Sequence, residues 1–365
     1  MIEQALKHTR FNKIHNNLGA KMVEFAGYEM PIQYSSIIAE HKAVRNSVGV
    51  FDVSHMGEIF VKGEKALEFV QLITINDVSK LVPGKIQYSA MCYENGGIVD
   101  DLLVYNLAVN EYLLVVNASN TDKDFNWMNE NNYPGVEINN LSDQYSLLAV
   151  QGPNSKTVFE KLLGEVLDLE YYHFKKVDIA GVNVLISRTG YTGELGYELY
   201  FTGNEDTADK IWSLIFNAGN EFDIQPVGLA ARDSLRLEMC FCLYGNDIDQ
   251  TTNPIEAGLG WITKLDKEKF IGKDAIKKIK EEGIKRKLVA MTSDEKTFPR
   301  HGYDITVNRN KIGTITSGTV SPILEKPIAL GYVEKELAQV GTKINFLVRG
   351  KEIPALIIKP PFVKK

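Results

Sequence analysis

The spacing of apolar and polar positions changes period along this chain, and the changes mark its elements. Ser36 stands as an N-cap ahead of Ile-Ile-Ala-Glu-His-Lys-Ala-Val, so a helix is expected over Ser36–Ser47, stopping before Gly49. Val50–Lys62 reads as one strand, and a second helix covers about Glu64–Thr74. Three strands follow in meander order, Ile86–Tyr93, Gly97–Leu107 and Tyr112–Ser119, joined by short turns at Asn95-Gly96-Gly97 and Val109-Asn110-Glu111. With a helix over about Thr121–Glu130, residues 53–145 read as an α+β unit of antiparallel sheet and flanking helices. Beyond it come a strand over Tyr145–Gln151, a helix opened by Gly152-Pro153-Asn154-Ser155, a hairpin over Val182–Phe201, a helix over Asp206–Gly219 and another from near Gly228. Residues 285–365 carry short strand patterns (Lys287–Met291, Ile312–Thr316, Ala329–Val333, Lys343–Val348, Ala355–Ile358) broken by Gly, Pro and Asn, as in a small all-β barrel or roll. The Lys-rich stretch Lys264–Lys287 connects it to the rest.

One strand breaks its own pattern. Gly-Gly-Ile-Val-Asp100-Asp101-Leu-Leu-Val-Tyr places two adjacent carboxylates where a strand is otherwise apolar. Side chains alternate, so Asp100 shares a face with Ile98, Leu102 and Val104, and Asp101 with Val99, Leu103 and Tyr105. A buried carboxylate without partners costs several kcal/mol or gives up its charge, so two acids on opposite apolar faces suggest that at least one lines a cavity. A carboxylate held there is a candidate base or cation-binder; a bulge with both acids solvated is the plain alternative.

The chain has 365 residues, 44% hydrophobic and 24% charged, enough for two or three domains at roughly 100–200 residues each. No apolar run has transmembrane length and no signal-peptide pattern is seen, and the three cysteines (Cys92, Cys240, Cys242) suit a reducing compartment, so a cytoplasmic protein is expected. Cys240-Phe-Cys242 is too tight for a zinc knuckle and the six histidines are scattered, so no metal is expected. Charge is uneven. Residues 1–261 hold 19 Lys and Arg against 35 Asp and Glu, a balance of −16, and residues 262–365 hold 22 against 12, a balance of +10. The basic third would attract an acidic protein or anionic ligand; it lacks the aromatic interleaving of a nucleic-acid surface.

Two further segments carry chemistry. In Ser187-Arg-Thr-Gly190-Tyr191-Thr-Gly193-Glu194-Leu-Gly196-Tyr197-Glu198, glycines at every third position allow close approach of a flat ligand or another backbone. It is not a phosphate loop, having no Gly-Lys-Ser ending. Glu198 is either a solvent-facing residue of an amphipathic strand or a carboxylate accepting two parallel hydrogen bonds from an amino-heterocycle. In the helix from Gly228, Arg232 and Arg236 stand four apart, suited to gripping a carboxylate or to ion pairs with Asp233 or Glu238. No Gly-x-Ser-x-Gly, no convincing Cys–His pair and no dinucleotide fingerprint appears, which argues against a protein nucleophile, a nicotinamide or a flavin. Acid/base and positioning chemistry remains, with the nucleophile supplied by a ligand.

These segments resemble the aminomethyltransferase, or T-protein, family of the glycine cleavage system. The resemblance runs from Lys21–Tyr34 through Val48–Glu58, Asn95–Asp101, Ser187–Glu198, Gly228–Glu238 and Asn253–Leu259 to Thr316–Pro322, in family order over essentially the whole chain. It implies an α+β fold of mostly antiparallel sheets, a three-domain cloverleaf around a central hole for tetrahydrofolate. Residues 1–52 with 146–262 would form a discontinuous folate-binding domain, 53–145 an inserted domain, and 275–365 a C-terminal β-barrel. It implies a reaction in which the carbon of an aminomethyl group on the lipoyl arm of H-protein passes to tetrahydrofolate, releasing ammonia and dihydrolipoyl H-protein. Tetrahydrofolate, with or without a polyglutamate tail, would be co-substrate, and lipoylated H-protein and the other glycine cleavage proteins the partners; no membrane or nucleic acid is implied.

By position, the resemblance makes Asp101 the carboxylate nearest the reacting folate nitrogens and Glu198 the acid bonded to the pteridine ring. Tyr88, Leu103, Asn117 and Tyr191 match pocket positions, and Arg232 an active-site arginine. The tail, Lys359-Pro-Pro-Phe-Val-Lys-Lys365, ends early, which puts in question contacts that longer members make. Folate-binding iron–sulfur assembly factors share the fold but carry a Lys-Gly-Cys-Tyr-type motif, where this chain reads Asn253-Pro-Ile-Glu-Ala-Gly-Leu-Gly-Trp-Ile without cysteine. A folate-dependent demethylase of another amine is the other alternative.

Overall fold

Ser36 accepts a hydrogen bond from the Ala39 amide at 3.2 Å and starts the helix Ile37–Asn46; Asn204 does the same for Thr207 at 3.1 Å ahead of Glu205–Gly219. The Ser36 start was expected from its local chemistry, and the second helix begins one residue ahead of the expected Asp206. The single strand expected over Val50–Lys62 is instead two, Gly49–Asp52 and Gly57–Lys62, which belong to different sheets. Asp52 turns the chain between them: its carboxylate accepts from the Ser54 amide at 2.9 Å, and the Met56 amide closes onto the Val53 carbonyl. Asp52 is buried and also accepts from Thr9 (2.6 Å) and pairs with His15 (2.9 Å). Burial pushes its pKa up, but His15, Thr9 and Ser54 outweigh it and hold the carboxyl below its ordinary value.

The computed structural model describes residues 5–364 and divides into two compact units. The first comprises the chain through Ala66, Leu81–Gln87 and Leu103–Asp233. Its centre is a sheet in the order Phe174–Ile179, Val182–Ser187, Gly196–Thr202, Tyr145–Gln151, Gly49–Asp52, Gln225–Pro226, all antiparallel except the last pair. Val48, Val50, Leu148, Val150, Val184, Ile186 and Leu199 form its core with Ile211, Trp212 and Ile215 of the 205–219 helix. The strand Phe174–Ile179 and the hairpin Lys21–Phe25/Tyr28–Gln33 were not anticipated, being half-exposed strands without clean alternation.

The second unit comprises Leu67–Lys80, Tyr88–Leu102 and the described chain from Ser234 onward. Six strands close into a barrel in the order Arg286–Thr292, Pro327–Glu334, Asn310–Val320, Asp304–Val307, Lys343–Val348, Lys351–Ile358, around Met291, Ile305, Ile315, Val333, Phe346 and Ile357. The barrel expected from the short strands is present, with Asp304–Val307 as an additional strand. The Lys-rich connector holds a helix, Lys273–Glu282, whose buried Ile276 was obscured by the surrounding charges. The expected meander is also present: Ile86–Cys92, Ile98–Ala108 and Glu111–Val116 lie side by side in a five-stranded sheet continued by Gly57–Lys62 and Glu137–Asn140.

Candidate active site

The glycine-rich loop of the first unit is shaped by a side chain that sequence reading passed over. Gln151, at the end of its strand, sends its amide under the loop, accepting from Thr192 Oγ1 at 2.9 Å and donating to the Thr189 carbonyl at 3.1 Å. A Cβ on Gly190 or Gly196 would lie 2.0 or 2.3 Å from that amide, so these two glycines make room for Gln151, not directly for a ligand. Arg45 secures the far side of the loop through the Thr192 carbonyl (2.6 Å) and Glu194 (2.9 Å).

Glu198 faces a chain of hydroxyls. Thr189 Oγ1 donates to its carboxylate in a very short contact, Tyr200 donates at 3.4 Å, and Ser187, Thr189, Tyr105 and Tyr200 are linked among themselves at 2.7–3.5 Å. The residue is half-buried, yet the carboxyl is shut away enough that desolvation raises its pKa, opposed by Thr189, Arg232 and Tyr200. Tyr191 projects from the loop so that the Arg232 guanidinium lies over its ring, 4.6 Å from the centroid. His55 belongs to the same neighbourhood. It is 2% exposed, its Nδ1 has no hydrogen-bond partner, and burial and then Arg232, against Asp52, bring its pKa down to about 4, so the imidazole is neutral.

In the second unit, Tyr88 donates its phenolic hydrogen to Asp101 Oδ2 at 2.8 Å. The paired acids divide as strand alternation requires: Asp100 is fully buried and Asp101 half-exposed. Trp261, 64% exposed, stacks on the other side of this group, its ring 6.1 Å from that of Tyr88 at 29°. Leu103 follows on the same strand, half-buried, in the first unit, and Asn117 stands immediately before the short helical turn Ala118–Asn120, just past Glu111–Val116.

The structure therefore gathers Tyr191, Glu198 and Arg232 in one unit and Tyr88 with Asp101 in the other. Arg236 is no part of either group. It is 1% exposed, bound to Asp247 (2.6 Å), Ser317 (2.8 Å) and the Phe241 carbonyl (3.0 Å). Glu238 accepts from Ser321 at 2.5 Å. Thr189, Tyr200, Tyr105, Gln151, His55 and Trp261 were not among the expected site residues. Tyr200 was within reach of pattern, since it shares a strand face with Glu198, and Thr189 lies in the same glycine-rich segment; the others come from distant segments.

Residues 11–267 match the family described as the GCVT N-terminal domain, and residues 286–364 the glycine cleavage T-protein C-terminal barrel domain. Together they define the class: a two-part fold that ends in the closed barrel described above. An aminomethyltransferase of Flavobacterium psychrophilum is 54% identical over 363 residues, covering 99% of this chain and all of that one. One of Halothermothrix orenii is 52% identical over 359 residues, covering 98% and 100%. The crystal structure of glycine cleavage system aminomethyltransferase T from Bartonella henselae superposes with a TM-score of 0.91 at 34% identity, covering 98% of each chain. This chain belongs to the glycine cleavage T-protein family.

Proposed function

We propose that this enzyme, an aminomethyltransferase and one-carbon transferase of the T-protein family, takes the methylene carbon of an aminomethyl group carried on the lipoyl arm of H-protein and transfers it to tetrahydrofolate. Kinship at 54% identity with an aminomethyltransferase along its full length carries the reading, and favours it over a demethylase or an iron–sulfur assembly factor. The carbon–sulfur and carbon–nitrogen bonds of the aminomethyl group break, two bonds form from the carbon to N5 and N10 of the folate, and the two displaced protons leave on ammonia and the dihydrolipoyl thiol. No electrons change hands, and no protein nucleophile is required.

The residues divide the work. Asp101, with its carboxylate oriented by the Tyr88 phenol, stands nearest the folate nitrogens and holds or accepts the proton displaced as they attack. Glu198 accepts from the amino and ring N–H groups of the pteridine; those donors, added to Thr189 and Arg232, draw the carboxyl to its charged form on binding. Tyr191, Leu103 and Asn117 line the folate pocket. In the same reading, residues 1–52 with 146–262 form the folate-binding domain, 53–145 the inserted domain and 275–365 the C-terminal one, the partners are lipoylated H-protein and its system, and the compartment is the cytoplasm.

The test is ammonia release from aminomethyl-loaded H-protein with and without tetrahydrofolate. Folate-dependent release with formation of methylenetetrahydrofolate is expected; folate binding without release would move the reading to folate chemistry on another amine. Asp101→Asn should bind folate yet turn over about 100-fold or more slowly, the usual worth of a positioned acid/base, and full activity in that variant would remove Asp101 from its role.

A further inference from the structure

A buried lysine lies behind the Tyr88–Asp101 pair, in a part of the second unit that the reaction as described leaves unused. Lys267 is 7% exposed, and its ammonium donates to three main-chain carbonyls: Gln71 (2.7 Å), Thr74 (2.6 Å) and Asn76 (2.8 Å). These carbonyls stand at and just beyond the C-terminal end of the helix Ala66–Ile73, where main-chain acceptors lack partners and the helix dipole favours a cation. Three N–H bonds meet three acceptors. Burial pulls the pKa of this group down to about 7, Asp77 raising and Lys273 lowering it, while a neutral amine would bring only two hydrogens to the three carbonyls, so the clamp itself favours the charged form.

The clamp leads to the acid in two steps. Asn76, whose carbonyl Lys267 holds, donates from Nδ2 to the Tyr88 carbonyl at 2.8 Å and from its amide to Ser89 Oγ at 3.1 Å. The Ile75 amide meets the Ala90 carbonyl at 2.9 Å, so residues 75–76 run along the strand at the position of Tyr88. The side chain of Tyr88 then reaches Asp101. The segment bearing Lys267 grips this group at further points: the Lys264 amide on the Ile75 carbonyl, the Ile271 amide on the Leu72 carbonyl, and the Trp261 ring on that of Tyr88. Tyr88 also packs against the apolar cluster of Ile75, Ala90, Ile262 and Phe270.

We propose that Lys267 is a positioning residue for the reaction: by clamping the end of the 66–73 helix it fixes Asn76, and through Asn76 the strand position from which Tyr88 orients Asp101. The inference rests on Asp101 being the working acid. A reacting group displaced by about 1 Å loses on the order of 100-fold in rate, so a clamp two residues removed from the chemistry can govern turnover without touching substrate. A lysine that only capped a helix would govern stability alone.

A double-mutant cycle separates these roles. Lys267→Met keeps the length of the side chain and leaves the three carbonyls without a donor. Its kcat, corrected for folded fraction by unfolding measurements, should fall about tenfold or more, with a much smaller change in KM for tetrahydrofolate. Tyr88→Phe should also slow turnover, and the double variant should be no slower than the slower single. Losses that multiply, or a kcat within twofold of the parent alongside a lowered Tm, would overturn the proposal. Should Lys267→Met not fold, Asn76→Ala takes its place in the cycle with the same expected and overturning results, since it removes the link to Tyr88 together with the local acceptor of the Asp77 amide and leaves the lysine clamp in place. Asp101→Asn, measured in parallel, keeps the two questions apart: full turnover there discards the role of Asp101, while the cycle still reads whether Lys267 acts through Tyr88.

Discussion

Arg232 and Arg236 stand one helical turn apart on Leu229–Glu238 and carry the same charge, but the regions that receive them differ in kind. Arg232 is half-exposed, lies over the face of Tyr191 and acts on Glu198 and His55, a neighbourhood in which one buried ring nitrogen has no hydrogen-bond partner. Arg236 is sealed, its guanidinium divided among Asp247, Ser317 and the Phe241 carbonyl, while Thr316 takes the other oxygen of Asp247 at 2.5 Å. A guanidinium resting on a ring beside a carboxylate can add a ligand to its partners. One locked in a buried pair cannot change partner without stranding a charge. Position in a motif does not distinguish the two; the depth of the partner does.

The largest expected effect tests the sealed side. Arg236→Ala leaves Asp247 buried without its cation, and unfolding in denaturant should show a loss of about 3–5 kcal/mol; a loss below about 1 kcal/mol would mean that the pair is not structural. The open side should answer the other way. Arg232→Ala should cost less stability than Arg236→Ala, because its guanidinium is half-exposed and rests on a ring face, while folate-dependent kcat/KM falls roughly 10–100-fold, the worth of one or two charge-assisted hydrogen bonds. If Arg236→Ala weakens folate use more than Arg232→Ala once folded fractions are corrected, the two arginines have been assigned the wrong way round.

Glu198 sharpens the comparison, because in the open region function and stability should pull apart. Its pKa is raised by burial, so the folded state holds a proton more tightly than the unfolded chain does, and stability falls as pH rises above the ordinary glutamate range. Glu198→Gln removes this dependence. The variant should gain stability relative to the parent at pH 8 compared with pH 5, and at the same time bind tetrahydrofolate more weakly, since the amide brings a donor where the pteridine also offers one. A variant that binds folate normally would take Glu198 out of the pocket.

What the sequence made legible follows the range of the forces involved. The meander, the 205–219 helix and the barrel rest on local period and turn residues, and they appear where those signals put them. The adjacent acids were readable because a strand face tolerates no unexplained carboxylate: one is buried and the other meets Tyr88. The Val50–Lys62 strand failed because Asp52 and Ser54 make a turn whose signal is two residues long inside an apolar run. The glycine loop was read as making space for a flat ligand or another backbone, whereas at Gly190 and Gly196 the space holds the side chain of Gln151, about forty residues upstream. Lys267 looked like one of many lysines in a basic stretch; only its three carbonyls, nearly two hundred residues away in sequence, show what holds it. Partners of that separation leave no periodicity to read.

The smallest expected effect on activity concerns Glu58, a buried acid that lacks the partners Glu198 has. Glu58 sits on Gly57–Lys62, is fully buried, and neither carboxyl oxygen has a hydrogen-bond partner; burial alone raises its pKa well above the ordinary value. An acid so placed keeps its proton to higher pH in the folded state than in the unfolded chain, where it ionises in the ordinary range near pH 4.5. The unfolded state is therefore favoured progressively as pH rises above that range, each tenfold difference in proton affinity being worth about 1.4 kcal/mol until the folded form ionises too. Glu58→Gln keeps the shape and removes the titration, so its unfolding free energy should match the parent near pH 5 and exceed it at pH 8, with folate use unchanged. Equal pH slopes in parent and variant would mean that Glu58 is ionised in the folded protein, held by a cation or water. The gain at pH 8 should also be larger than for Glu198→Gln, because Thr189, Arg232 and Tyr200 already offset part of the burial of Glu198, and nothing offsets that of Glu58.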